Sequence, residues 1–169
     1  AHIKWQLLPN MKLDAFFSNA DGLDGLLQSK SSQNLFFGWT PDKKSNVEYT
    51  HKELQNSDPL SQMFDQVTNQ LMAFKDFGRA GKLKFTDIHF ASNTNMTGQA
   101  PGFELQDLLY EAKVDAKTTL STETSRTRFD DGSKEDLTSG TLSTTLTKAT
   151  GVSVTETKID RDGVSRDET

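Results

Sequence analysis

The chain has 169 residues, no cysteine and a formal net charge of -5. The missing cysteines exclude disulfide frameworks, thiolate zinc sites and thiol nucleophiles, and the negative charge opposes a broad basic surface for nucleic acid. The length fits one ordinary domain, or one domain with an arm.

Large and small side chains are unevenly distributed. Of the 15 aromatic residues, 14 lie at or before Tyr110, whereas residues 114–169 carry 14 Thr and 7 Ser. Aromatic side chains bury the most area. We therefore expect an aromatic-rich core region over residues 1–113 and a Ser/Thr-rich β-arm over residues 114–169, within the same domain or ordered on assembly. A disordered tail is the alternative.

The N-terminal third indicates strands. Leu13, Ala15 and Phe17 alternate with their neighbours, and an apolar run over residues 35–39 meets a turn at Pro41. The apolar run over residues 3–8 is too short for a membrane span, which needs about 20 residues.

Residues 59–76 predict a long amphipathic helix. Asp58 is a good N-cap, and Pro59 suits the first helical position. Apolar residues then recur at helical spacing: Leu60, Met63, Phe64, Val67, Leu71 and Phe74. Gly78 is a natural stop.

Residues 82–90 alternate as a half-buried strand does. The apolar phase changes after Phe85, which predicts a bulge or twist near Thr86 and Asp87. Residues 92–102 indicate a long loop. A short helix is predicted over residues 103–113, with Leu105, Leu108, Leu109 and Ala112 on one face.

The last third indicates a β-meander with strands at about 117–128, 138–149 and 152–159. Thr is favoured on a pleated surface, and Gly132 and Gly163 each follow an Asp in a turn pattern. Together the elements predict an α+β fold: a mainly antiparallel sheet or barrel-like core, one long helix, one short helix and the Ser/Thr-rich meander.

The sequence carries no motif of an active site. His2, His51 and His89 do not fall in a close ligand pair, and no G-x-S-x-G elbow occurs. We assign no catalytic, cofactor-binding or metal-binding residue, and expect no cofactor and no enzymatic activity.

Three weaker patterns do not change that assignment. Residues 78–82 end in Gly-Lys, but Asp76 and Leu83 stand where a P-loop needs Gly and Ser or Thr. Residues 160–163 resemble part of a calcium loop without its first and last carboxylates. Acidic pairs at residues 130–131 and 135–136 flank a predicted turn open to water, and Asn95 begins an N-glycosylation pattern.

The order of features from Gly78 resembles the Hcp family, the ring-forming tube subunits of bacterial type VI secretion, which are similar in fold to phage tail-tube proteins. The matching features are the glycine-rich loop at 78–82, Asp87-x-x-Phe90 in a strand, the helix predicted around Leu105 and the Thr-rich strands. The resemblance covers about residues 78–159. It implies a tube or ring subunit that assembles with copies of itself.

We therefore expect a non-enzymatic structural or interaction subunit that self-assembles through β-edges, as a homo-oligomer or with other assembly proteins. The alternative is an exported binding or toxin-like module whose polar hairpins contact a receptor or membrane, although Thr144 and Lys148 interrupt the apolar face needed for insertion. We expect no nucleic-acid partner and no transmembrane span. Export or secretion is favoured over residence in the cytoplasm before assembly.

Overall fold

A computed structural model describes residues 1–20, 29–57, 64–94, 102–147 and 150–168. These residues form one open sheet of 11 antiparallel strands that lie side by side in chain order. Their one helical element is a single 3-10 turn, Gly78–Ala80. The expected α+β class, with a long helix, a short helix and a barrel-like core, is therefore wrong. Within the same ranges, no helix has the length and apolar character needed to cross a bilayer.

Eleven strands make up the meander, and all but the first and last contain ten or more residues. They are β1 (His2–Leu8), β2 (Met11–Ala20), β3 (Ser29–Asp42), β4 (Ser45–Ser57), β5 (Phe64–Asp76), β6 (Lys82–Thr94), β7 (Phe103–Lys113), β8 (Thr118–Phe129), β9 (Lys134–Thr145), β10 (Gly151–Arg161) and β11 (Val164–Glu168).

The sheet is a single layer. Each strand makes its main contacts with the strands beside it in the sheet. Among the described side chains only Ala15 and Thr86 are buried. The accessible surface is 12026 Å², whereas a compact monomer of this mass exposes roughly 8,300 Å². Most apolar side chains therefore keep part of their surface in water.

Side chains opposite each other in neighbouring strands share a face of the sheet. We call the side that carries Trp5 the front face and the side that carries Lys4 the back face. The front row through Trp5 runs Trp5, Leu13, Phe37, Tyr49, Leu71, Asp87, Gln106, Arg126, Asp136 and Asp160. This row thus changes from apolar to charged along the chain.

The helix predicted over residues 59–76 is wrong where the structure describes it. Residues from Phe64 onward form β5, which pairs with β4 and β6, and residues 59–63 lie outside the described ranges. Val67 and Leu71 lie on the front face, whereas Phe74 lies on the back. A spacing of four keeps residues on one face in a helix and in a strand alike, so the apolar period did not exclude a strand.

The short helix predicted over residues 103–113 is also wrong, because these residues form β7. Leu105 and Leu109 lie on the back face, and Leu108 and Ala112 lie on the front. Both faces of this strand carry apolar residues, which gives a spacing of three and four along the sequence.

The strand predicted over residues 82–90 is confirmed as part of β6, but the bulge near Thr86 and Asp87 is wrong. β6 keeps one register with both neighbours. The alternation of apolar residues in β6 shifts by one position, because Phe85 lies on the front face and Ile88 lies on the back face. Apolar residues of the neighbouring strands lie on both faces at this point.

Strands predicted elsewhere are confirmed. β2 and β3 contain the predicted N-terminal strands, and β8, β9 and β10 correspond to those of the Ser/Thr-rich part, although β9 begins four residues before the strand predicted at 138–149 and ends at Thr145. β8 pairs with all of β7, so one ladder runs from the aromatic-rich part into the Ser/Thr-rich part. Turn residues have the positive φ that their positions require: 88° at Gly132, 51° at Asp162 and 83° at Gly163.

Candidate assembly edges

β1 is an outer strand that combines an open backbone with exposed apolar side chains. Among the described residues it pairs with β2 on one side and has no ladder on the other. Ile3, Trp5 and Leu7 lie on the front face, with 47%, 61% and 51% of their surface exposed. An outer strand of this kind is a template for pairing with another chain.

Hydrogen bonding at Ala1 fixes which residues of β1 turn their backbone to the open side. The Phe17 N–H donates to the Ala1 carbonyl at 2.8 Å, and the Ala1 amino group donates back to the Phe17 carbonyl. Because antiparallel ladders alternate, Ile3 and Trp5 direct their backbone groups to β2. His2, Lys4 and Gln6 therefore direct their N–H and C=O groups outward.

β10 provides a second open edge along half its length. β11 pairs with β10 only from Thr157 to Arg161, so in the described chain residues 151–156 have β9 alone beside them. The Leu146 N–H donates to the Thr150 carbonyl at 2.9 Å, and the Asp162 N–H donates to the Lys134 carbonyl at 3.0 Å. Even-numbered residues of β10 thus bond to β9.

The open half of β10 has the same alternation as β1. Ser153 and Thr155 turn their backbone groups to the open side and their side chains to the back face. Val152 and Val154 place their side chains on the front face, 49% and 60% exposed. Both open edges therefore present apolar side chains on the front and open backbone groups at back-face residues.

Neither open edge carries the features that usually block pairing between chains, which are several charges, a proline or a central bulge. Lys4 is the one Lys, Arg, Asp or Glu residue in β1, and Glu156 is the one in residues 151–156. The β1 bulge lies at the end of the strand, between Gln6 and Leu8. Within the described residues, both edges therefore leave backbone groups available to another strand.

The three histidines lie in separate polar contacts. His2 Nε2 is 2.6 Å from Asp14 Oδ1, and His89 Nδ1 is 3.3 Å from Glu104 Oε1. His51 Nδ1 is 2.7 Å from Asn69 Oδ1. Among the residues that the structure describes, no three His, Asp or Glu side chains converge as a metal site. These contacts join neighbouring strands.

A groove of about 770 Å³ borders the Gly78–Ala80 turn, where the glycine-rich loop lies. Its charged lining residues are Asp76, Arg79, Lys82, Glu111, Lys113 and Asp115. Because three cations and three carboxylates are present, the groove has no excess positive charge for a phosphate. The turn is too short to offer a helix terminus to an anion.

The acidic pair at residues 130–131 belongs to the β8–β9 turn. Asp131 Oδ1 accepts the Ser133 N–H at 2.9 Å, and hydrogen bonds from Ser133 lower the pKa of Asp131. Gly163 N–H donates to Asp160 Oδ1 at 3.0 Å in the last turn. These carboxylates close turns, and a carboxylate with a lowered pKa is a poor general acid near neutral pH. Asn95 lies outside the described residues.

Comparison with protein-family models, with curated proteins and with solved structures finds no match for this chain. The resemblance of residues 78–159 to the Hcp family stays a prediction. The two edges therefore stand as the candidate site on their own geometry.

β1 is the part of the site that the sequence prediction missed. The sequence signal for β1 is the alternation of Ile3, Trp5 and Leu7 with Lys4 and Gln6, which is typical of a strand. The search for a membrane span considers only the length of an apolar run and does not detect this alternation. The open half of β10 has no local signal, because it depends on where β11 ends.

Proposed function

We propose that this chain is a non-enzymatic structural subunit that assembles with copies of itself through the open edges of its sheet. The observation that carries the proposal is β1, which presents outward backbone groups at Lys4 and Gln6 and exposed apolar side chains at Ile3 and Trp5. Backbone pairing would give affinity, and the apolar front-face residues would give register.

The size of the exposed surface is consistent with burial against a partner. The accessible area exceeds that of a compact monomer of the same mass by roughly 3,700 Å². A standard interface needs about 800 Å² from each partner. The chain therefore has surface to bury in an assembly without unfolding any part of the sheet.

The resemblance to the Hcp family adds an expectation about the form of the assembly. A family of tube subunits assembles as rings, so rings seen by negative-stain electron microscopy would extend the proposal to that form. Open filaments would leave self-assembly standing and remove the ring.

A matched pair of substitutions tests the proposal. Trp5→Lys places a charge on the front face of the outer strand, and Leu108→Lys places the same charge on the front face of β7 in the middle of the sheet. Trp5 and Leu108 are both exposed, at 61% and 44%. Sedimentation velocity over a range of concentrations measures association of the wild-type chain and both variants.

We expect the wild-type chain to associate and Trp5→Lys to weaken association about tenfold or more, since aromatic anchors carry much of an interface. Leu108→Lys should leave association unchanged. A wild-type chain that stays monomeric at all concentrations overturns the proposal. Equal losses in both variants would assign assembly to the sheet face and overturn assembly through edges.

A further inference from the structure

We infer that a cavity on the back face binds an acidic saccharide, that is, a sugar that carries one negative charge beside its hydroxyl groups. The cavity has a volume of about 470 Å³ and lies over β1 to β4. Pockets for small ligands usually measure about 300–1,000 Å³. The inference goes beyond the proposed function, because it concerns the face of the sheet and uses neither edge.

The register of four strands brings the lining residues of this cavity together. One row across the sheet runs His2, Phe16, Asn34 and Lys52, and the next row runs Asp14, Phe36 and Thr50. In both rows a phenyl ring lies between polar side chains. The first row spans three strand spacings, about 14 Å, which gives room for a short oligosaccharide.

The back face is the more enclosed side of the sheet. The groove beside the Gly78–Ala80 turn also borders this face, through Lys82 and Glu111. In β8, Ser125 on the back face is half-buried, whereas the larger Thr124 on the front face is exposed. A ligand on the back face is therefore shielded from water over more of its surface.

Asn34 supplies a side-chain amide that the fold does not use. Its Oδ1 is buried without a hydrogen-bond partner, and no side-chain hydrogen bond joins Asn34 to the described residues. Buried polar atoms in folded proteins are almost always hydrogen-bonded. A half-turn of the amide exchanges its oxygen and nitrogen, so Asn34 can offer the cavity either a donor or an acceptor.

The charges around the cavity favour one negative group at the β4 end. Asp14 is already paired, because its Oδ1 lies 2.6 Å from His2 Nε2 and its Oδ2 lies 3.9 Å from Lys4 Nζ. Lys52 lies at the other end of the row that begins with His2, is exposed, and forms no ion pair with the described residues. Lys52 is therefore the cation for a carboxylate of the ligand.

Phe16 and Phe36 provide the apolar surface on which a sugar ring packs. Phe16 is 42% exposed, and its ring meets the His2 ring edge-on, with 6.0 Å between their centroids. Hydroxyl groups at the rim of the sugar then reach Asp14 and Thr50. A polyphosphate fits less well, because the Asp14 carboxylate repels several negative charges but accepts hydroxyl groups.

Isothermal titration calorimetry with short oligosaccharides tests this inference. The probes are oligomers of galacturonate, glucuronate and mannuronate, each with its methyl ester, which retains the hydroxyl groups and removes the charge. We expect one or more acidic oligomers to bind the wild-type chain about tenfold more tightly than the matching ester. Inorganic phosphate and adenosine monophosphate are the controls for a simple anion and for a nucleotide.

Two lysine variants form a matched pair. Lys52→Met removes the cation of the cavity, whereas Lys84→Met removes an exposed back-face lysine of β6 that does not line it. We expect Lys52→Met to weaken binding of the acidic oligomer about tenfold and Lys84→Met to leave it unchanged.

Asn34→Ala separates binding from folding. Because the amide makes no hydrogen bond to the described residues, the variant should bind the oligomer more weakly and keep the melting temperature of the wild-type chain. A lowered melting temperature with unchanged binding would assign Asn34 to the fold and contradict its place in the site.

The inference is overturned if no acidic oligomer binds at millimolar concentration, or if Lys52→Met binds as tightly as the wild-type chain. It is also overturned if phosphate or adenosine monophosphate binds as tightly as the best oligomer. Sedimentation velocity distinguishes this failure from that of the proposed function, because Lys52→Met should associate as the wild-type chain does. A monomeric chain that binds the oligomer would remove self-assembly and leave the saccharide site standing.

Discussion

Arg126 and Asp136 lie directly opposite each other on the front face, where Arg126 Nε is 2.6 Å from Asp136 Oδ1 and joins β8 to β9. The next ion pair along the sheet lies on the back face, where Arg161 Nε is 2.9 Å from Glu135 Oε2 and joins β10 to β9. Glu135 and Asp136 are adjacent in β9. Glu135 therefore binds an arginine of β10 on the back face, and Asp136 binds an arginine of β8 on the front face.

We expect Arg126→Gln to raise the pKa of Asp136 toward its ordinary value, because the hydrogen bond from Arg126 is the main cause of its lowering. Arg161→Gln is the matched control and should leave that pKa unchanged. Titration of the Asp136 carboxyl carbon by NMR measures both. The pair is exposed, so the melting temperature at neutral pH should change little. An Asp136 pKa that responds to Arg161→Gln would contradict the separation of the faces.

A second carboxylate predicts acid sensitivity. Lys75 Nζ lies 2.9 Å from Asp42 Oδ2. This contact, with hydrogen bonds from Lys44 and Ser45, lowers the pKa of Asp42 from 3.8 to about 2. A lowered carboxyl pKa stabilises the folded chain above pH 3.8, and that contribution disappears as the pH falls through about 2.

The melting temperature of the wild-type chain should therefore fall between about pH 4 and pH 2. Lys75→Met should raise the pKa of Asp42 and reduce the fall in melting temperature over this pH range. Lys43→Met, in the same turn, should leave that fall unchanged. Melting curves at several pH values, together with an NMR titration of Asp42, measure the effect. Identical pH profiles for Lys75→Met and the wild-type chain would rule out this contribution from Asp42.

Three glycines separate backbone conformation from steric contact. Gly81 has a φ of 109°, and a Cβ there would lie 2.4 Å from the Glu111 carbonyl oxygen. Gly132 has a φ of 88° with open space around it, and Gly140 has neither constraint. Replacement of Gly81 by alanine therefore tests backbone conformation and steric contact together. Replacement of Gly132 tests conformation alone, and replacement of Gly140 tests neither.

We expect Gly81→Ala to lower the free energy of unfolding by roughly 3 kcal/mol and Gly132→Ala by about 1 kcal/mol. Gly140→Ala should be neutral, or stabilising by less than about 1 kcal/mol. Urea unfolding of the three variants measures this order. A loss for Gly140→Ala as large as that for Gly81→Ala would contradict it.

Asn69 joins two polar side chains of β4. Its Oδ1 lies 3.0 Å from the Tyr49 hydroxyl, which donates to it, and 2.7 Å from His51 Nδ1. All three side chains are partly buried. Asn69→Ala should therefore destabilise the chain by about 1–2 kcal/mol, and Tyr49→Phe by about 1 kcal/mol.

The double variant tests whether these residues act together. If Tyr49 and Asn69 share a hydrogen bond, the combined loss in unfolding free energy is smaller than the sum of the single losses. Strict additivity would show that the bond contributes nothing to stability. Arg126→Gln, which alters a contact between β8 and β9 away from Asn69, provides a control expected to be additive.

Strands were predictable where polar and apolar residues alternate strictly, and were misread where both faces are apolar. In β8, the alternation of Thr with charged residues leaves little ambiguity. In β5 the adjacent pair Leu71 and Met72, and in β7 the adjacent pair Leu108 and Leu109, place one apolar residue on each face. Such pairs remove the two-residue period, because a sheet without a covering layer holds half-buried side chains on both sides.

The candidate edges were predictable only in part. The alternation around Trp5 indicates a strand, but which of its backbone groups point outward depends on the register between Ala1 and Phe17. Among the described residues, the open half of β10 is defined by the extent of the β10–β11 ladder and not by the composition of residues 151–156. Register and strand length are properties of the whole sheet, so a local pattern does not contain them.

The strictly sequential order of the strands has a consequence for how stability is distributed. Because each inner strand bonds to the strands before and after it in the chain, and β1 and β11 each bond to one neighbour in the described sheet, the folding free energy is close to a sum of nearest-neighbour terms, as in repeat proteins. Removing a terminal hairpin from such a chain deletes one interface and leaves distant strands intact. The sheet can therefore be lengthened or shortened by a whole hairpin, because the described residues form a single layer without a central core that would fix the number of strands.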